Sequence, residues 1–237
     1  MSLNLSNPRR CDSRPAFTLV EMLVVIAIMS ILMTAGAIGL SGMGGKGVSS
    51  GVASAESVFD EARSIAVGQR TRTRVLIAQD LTNNGIENLR KIVVVAEQLD
   101  PDGNPVPNNW ILTSKGTTLP EQIYFSQTYS TVDHEAGTGA IEGNFSIPNA
   151  KAAFAGTYFF YEFNAEGIIM TPGASFVIGT GARGTTATAY RTQPKVTAAG
   201  KKDFGGFVIW RNGRSSIFRS PAQISTAIQS QTTGATF

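Results

Sequence analysis

The residues of this chain that could do chemistry are few and scattered, and one of them sits where physics disfavours it. From Phe17 the sequence reads FTLVEMLVVIAIMSILMTAGAIGLSGMGG, and residues 22–45 carry no charge. Glu21 therefore lies at the start of an apolar run. On insertion scales a carboxylate at the centre of a membrane helix costs about 2.5–3.5 kcal/mol, and less near an end. Such a group usually has a partner. No cation lies within the run, so the partner must come from the N-terminal tail, another chain or a new terminus. A cut between Ala16 and Phe17 would give Phe17 a positive α-amino group and make Glu21 the fifth residue of the shortened chain.

Asp100, Asp102 and Asn104 alternate hard oxygen ligands in a way that suits calcium. An EF-type loop needs glycine at its sixth position and glutamate at its twelfth. Here Gly103 is fourth and Ile111 is twelfth, so calcium is a weak candidate and a plain turn is favoured. No other cofactor is expected. His134, the only histidine, lies between Asp133 and Glu135 in a polar stretch and reads as a solvated surface residue. No serine motif or second histidine supports nucleophilic catalysis, so the chain does not read as an enzyme.

Two groups of arginines remain. Arg70, Arg72 and Arg74 alternate at the start of an extended segment and would share one face. Arg211, Arg214 and Arg219 surround an Asn-Gly turn and could hold nucleic acid, because phosphate contacts are charge-driven and tolerate varied geometry. The charge balance argues for solvation instead. The net charge is +3, but residues 1–16 hold Arg9, Arg10 and Arg14 against Asp12 alone, leaving 17 basic and 16 acidic residues beyond them. The one cysteine, Cys11, lies in the same tail. Without the tail, disulfides, thiolate metal sites and a cysteine nucleophile are excluded together.

The elements that must position these residues follow from periodicity. Residues 17–40, if helical, span roughly 36 Å at about 1.5 Å per residue, enough for one crossing of a hydrocarbon core about 30 Å thick. The arginines precede the run, so the tail stays in the cytoplasm and the remaining chain lies outside. A secretory signal peptide has a shorter apolar region and a small-x-small cleavage site. An ordinary signal anchor accounts for length and orientation, but not for Glu21. Glycines crowd residues 41–47 and predict a break, since each costs about 1 kcal/mol in a helix relative to alanine. Ala35 and Gly39 form a small-xxx-small pair that would allow close helix approach.

A second, amphipathic helix is expected over 48–70, with Val48, Val52, Ala55, Phe59, Ala62 and Ala66 forming one apolar stripe. Glu56, Asp60, Glu61 and Arg63 lie off it. Strand signals then occupy residues 74–79, 91–98, 110–113, 123–126, 158–164, 176–178 and 207–211. Asn212-Gly213 reads as a two-residue hairpin turn into 214–219. Loops are expected at 100–109, 132–143 and 179–200. The sequence thus divides into a leader (1–16), a long helix (17–70) and a β-rich head (71–237). The class is α+β, a long N-terminal hydrophobic helix packed on an antiparallel sheet.

The stretch Arg14-Pro15-Ala16-Phe17-Thr18-Leu19-Val20-Glu21-Met22-Leu23 resembles the prepilin cleavage and methylation signature of type IV pilins and type II secretion pseudopilins. The resemblance implies that a membrane-embedded prepilin peptidase cuts between Ala16 and Phe17 on the cytoplasmic face and methylates the new amine. It makes Glu21 the assembly glutamate. Ala16 stands where the family carries glycine. The implied protein is a filament subunit in the inner membrane with its head outside the cytoplasm. Its implied partners are other pilin or pseudopilin subunits, the peptidase and an inner-membrane assembly platform.

Trp110, Gly116, Leu119-Pro120 and Ile123-Tyr124-Phe125, with Phe163, Gly167 and Gly213-Arg214, are similar to minor pseudopilins of the GspH/FimT kind. The overall arrangement also resembles the Verru_Chthon cassette family, particularly its D member. FimT-like minor pilins use C-terminal basic residues to hold DNA. The alternative implied function is therefore a membrane-tethered or pilus-tip binding module, with Arg211, Arg214 and Arg219 as contacts.

Overall fold

The computed structural model describes residues 19–41, 44–184, 186, 188–196, 203–218 and 223–224, with side chains over 19–30 and from 47 onward. The chain divides into two compact units, residues 1–42 and 43–237. In the first, helix α1 spans Leu19–Ser41, with Glu21 in its first turn. Every described side chain from Leu19 to Ser30 is exposed, including Leu19, Val20, Met22, Leu23, Ile26, Ile28 and Met29. Ser30 turns its hydroxyl back onto the Ile26 carbonyl at 2.8 Å, so its polar group is satisfied within the helix. A helix apolar on all sides needs a non-aqueous surround. Among the described residues no helix is long and apolar enough to cross a membrane.

The second unit opens with helix α2, Gly44–Gln69. Gly44, Gly45 and Gly47 lie inside this helix, where the sequence reading placed a break; residues 42 and 43 lie outside the described set. All six residues of the apolar stripe are buried, and Val58 joins them. The helix ends where Arg70 turns left-handed (φ 53°) and the Thr71 amide reaches back to the Ala66 carbonyl at 3.2 Å, a Schellman-type stop. Arg70 is therefore the residue that ends a helix, and not the first member of a basic strand face.

Two antiparallel sheets follow. The first has the order β3-β2-β1-β7, with β1 Thr73–Leu81, β2 Lys91–Leu99, β3 Pro105–Thr118 and β7 Gly156–Phe163. The second has the order β11-β10-β8-β4, with β4 Ile123–Phe125, β8 Ala174–Ala182, β10 Phe204–Ile209 and β11 Ser215–Ile217; β9, Lys195–Val196, pairs the end of β8. β5 (Thr131–Asp133) and β6 (Thr138–Ala140) form a separate hairpin.

α2 packs against both sheets, and Phe59 is the joint. Its ring meets Tyr161 at 5.1 Å and Phe163 at 6.4 Å from the first sheet. It meets Phe176 at 5.5 Å and Phe207 at 5.2 Å from the second. All four contacts are edge-on, the arrangement ring quadrupoles prefer. The runs VLIA (75–78) and IVVVA (92–96) are fully buried without alternation. Strands covered on both faces read this way. One face meets α2; the other packs with Trp110, Ile147 and Tyr158, flanked by Phe145 and Phe154.

Several expected loops hold structure. Residues 105–109 belong to β3, and proline at its first position fits an edge strand. The stretch 132–143 carries the β5–β6 hairpin. The stretch 179–200 carries the end of β8, a 3-10 turn at Ala189–Arg191 and β9. The expected two-residue Asn-Gly turn is instead a three-residue loop, Arg211-Asn212-Gly213. The Gly213 amide bonds the Trp210 carbonyl at 2.7 Å and the Trp210 amide bonds Arg214 at 2.9 Å. Only Gly213 has positive φ (73°). A type I turn followed by a left-handed glycine bulge has this geometry.

Candidate functional site

The basic face expected at the start of β1 is already neutralised. Arg72 holds Glu97 with two nitrogens, its Nε lying 2.9 Å from Oε2, and reaches Glu162 at 3.2 Å. Arg74 holds the other oxygen of Glu162 at 2.6 Å. The Arg74 guanidinium also lies 4.2 Å from the ring centres of Trp110 and Phe160 and 4.7 Å from that of Phe145. Burial pushes the Glu97 carboxyl up, but Arg72 and the Asn108 amide outweigh it and hold the pKa below the ordinary value. The Arg72 guanidinium is correspondingly raised, first by its bond to Glu97. Two cations and two anions close on one another here, leaving no basic face to attract phosphate.

The last hairpin differs. Arg211 and Arg214 are exposed, and Arg219 lies outside the described residues. The loop they flank is seated on a second turn. A Cβ at Gly213 would lie 2.5 Å from the Gly167 carbonyl oxygen and 2.7 Å from Cδ of Arg63. Gly167 is itself left-handed (φ 74°) and closes a turn with the Asn164 carbonyl at 2.9 Å, while the Asn164 side chain accepts the Glu166 and Ile168 amides. The Arg63 stem from α2 runs beneath both turns, and its Nε is buried without a hydrogen-bond partner among the described residues. Beside them Trp210 is half exposed, its Nε1 donating to Ser216 at 2.7 Å.

Sequence reasoning missed Arg63 and Trp210. Trp210 had a weak signal, a large aromatic just ahead of an Asn-Gly turn. Arg63 had none, because only the long-range meeting of α2 with the hairpin brings it there.

The Asp100 loop is occupied by its own backbone. Oδ1 of Asp100 accepts the Asp102 amide at 3.0 Å and the Asn104 amide at 2.7 Å, and the Asn104 amide is the main reason its pKa is lowered. Among the described residues no three His, Cys, Asp or Glu side chains gather as a metal cluster. His134 is half buried, its ring 4.7 Å from that of Phe218 and its amide bonded to the Gly173 carbonyl at 3.0 Å. It packs instead of standing in solvent.

Ala16 and Phe17 lie outside the described residues, and Glu21 stands in the first turn of α1. An acid there faces the positive end of the helix dipole, a favourable placement.

A family profile described as the prokaryotic N-terminal methylation motif matches residues 13–37. The N-terminus is thus a prepilin-type methylation motif. No curated protein sequence matches the chain. Among solved structures, the type IV minor pilin FimU of Pseudomonas aeruginosa (strain PAO1) is similar at 14% identity, with 73% of this chain and 94% of that chain covered and a TM-score of 0.34. So distant a likeness carries no weight for the fold, which rests on the elements described above.

Proposed function

We propose that this chain, with its prepilin-type N-terminus, is a structural subunit of a type IV pilus or type II secretion pseudopilus. The supporting observation is the motif over residues 13–37 running into a helix whose described apolar side chains are exposed on every side. In this reading prepilin peptidase cuts between Ala16 and Phe17 and methylates Phe17. Residues 17–40 anchor the subunit in the inner membrane with the β-rich head outside, and an assembly platform extracts it into the filament. The chain catalyses nothing; it is the substrate of processing and a component of the assembly.

Assembly proceeds by helix bundling. As helices leave lipid, the Phe17 amine of one subunit pairs with Glu21 of its neighbour, removing the cost of each charge in an apolar surround. Replacing Glu21 by alanine should leave cleavage intact and abolish incorporation into filaments. Normal incorporation of that variant would overturn this mechanism.

A second reading, a binding module for nucleic acid, is favoured by exposed Arg211 and Arg214 flanking the loop that follows half-exposed Trp210. Guanidinium groups meet phosphate and an indole face stacks on bases. Full-length protein should then retain DNA in a salt-sensitive manner that is lost on replacing Arg211 and Arg214. Salt-insensitive retention would exclude it.

A further inference from the structure

We propose that the groove along the free edge of β3 receives an extended acidic peptide segment of a partner protein, a role independent of the N-terminal helix and of the arginine hairpin. β3 is the outermost strand of its sheet. Consecutive residues 109–115 line a groove of ≈ 550 Å³ whose opposite wall is the segment 147–154. Residues from both faces of one strand line a single groove when it follows that strand's edge. The register is regular from Trp110 to Leu112, opposite Glu97 to Val95 on β2, and shifts before Trp110 and again beyond Leu112. Backbone pairing to such an edge gives affinity, and alternate pockets give selectivity.

The lining fixes the chemistry of the occupant. Leu112 and Phe154 supply partly exposed apolar surface over buried Trp110 and Ile147, and Lys115 and Lys151 stand exposed on opposite walls. No Asp or Glu lines the groove. Among the described residues neither lysine forms an ion pair. Two lysines without a counter-charge match acidic side chains on the incoming strand. The same lysines and the flanking bulges discourage pairing with uncharged strands, the usual protection of a sheet edge.

The test uses the full-length chain in detergent micelles carrying Trp210→Phe, so that Trp110 is the one remaining tryptophan and reports from the buried floor of the groove. A blocked peptide of alternating glutamate and valine should shift Trp110 emission saturably. The double variant Lys115→Glu, Lys151→Glu should weaken binding roughly tenfold or more, as like-charge contact requires. A lysine-valine peptide binding equally well would overturn the charge assignment. Equal binding of a proline-interrupted acidic peptide would overturn edge pairing. A response to decanoate with none to the acidic peptide would overturn peptide occupancy.

Discussion

Gly167 and Gly213, 46 positions apart in sequence, meet so closely that a Cβ on Gly213 would sit 2.5 Å from the Gly167 carbonyl oxygen. The contact locks the hairpin carrying Arg211 and Arg214 onto the turn after β7 and over Arg63 of α2. Both glycines have positive φ, so each position excludes side chains by backbone conformation as well as by space.

Replacing Gly213 by alanine should therefore destabilise the head by about 2 kcal/mol or more, combining the left-handed penalty of roughly 1–2 kcal/mol with a backbone clash. Thermal unfolding of the variant beside the parent protein checks this. An unchanged melting temperature would mean that the two turns do not touch.

Phe59 is the α2 side chain, among the described residues, whose ring meets aromatic rings of both sheets, so its loss should loosen the whole head at once. Phe59→Ala is expected to cost about 3–5 kcal/mol. Denaturant unfolding should show a lower midpoint for both sheets together. Loss confined to one sheet would contradict the role of α2 as the joint.

Glu97 gives the head an acid-sensitive lock. Its folded pKa is depressed, so the stability it contributes is fully present above its unfolded value, about 4.3. That stability is lost as pH falls below this value toward the folded pKa. Glu97→Gln should lower stability near neutrality by about 1–3 kcal/mol, since Arg72 loses its charge-assisted bonds. It should also flatten the fall in stability at acid pH. A variant with the parent's acid profile would place the sensitivity elsewhere.

The loop 100–104 closes on its own amides, so EGTA should leave the melting temperature unchanged. A calcium-dependent rise in that temperature would show that Asp100 and Asp102 take the ion in place of those amides.

Much of the architecture was legible because burial leaves a periodic trace. The stripe from Val48 to Ala66 marked the buried face of α2, and the unbroken runs at 75–78 and 92–96 marked strands covered on both sides. The start of β3 and the short strands β5, β6 and β9 left no such trace. They are two or three residues long or rich in proline, glycine or polar residues, and they are strands only because a neighbour supplies hydrogen bonds. Charge was the hardest to read. Arg72 and Arg74 look like a basic face until Glu97 and Glu162, from two other strands, arrive beside them. The seat of Gly213 on Gly167 is likewise a tertiary contact that no local window contains.

The N-terminal mass of the native protein, recovered from the membranes of cells that process prepilins, tests the central claim most directly. The account predicts a chain of 221 residues that begins with N-methylated Phe17. A chain that keeps residues 1–16, with an unmodified terminus, would contradict it.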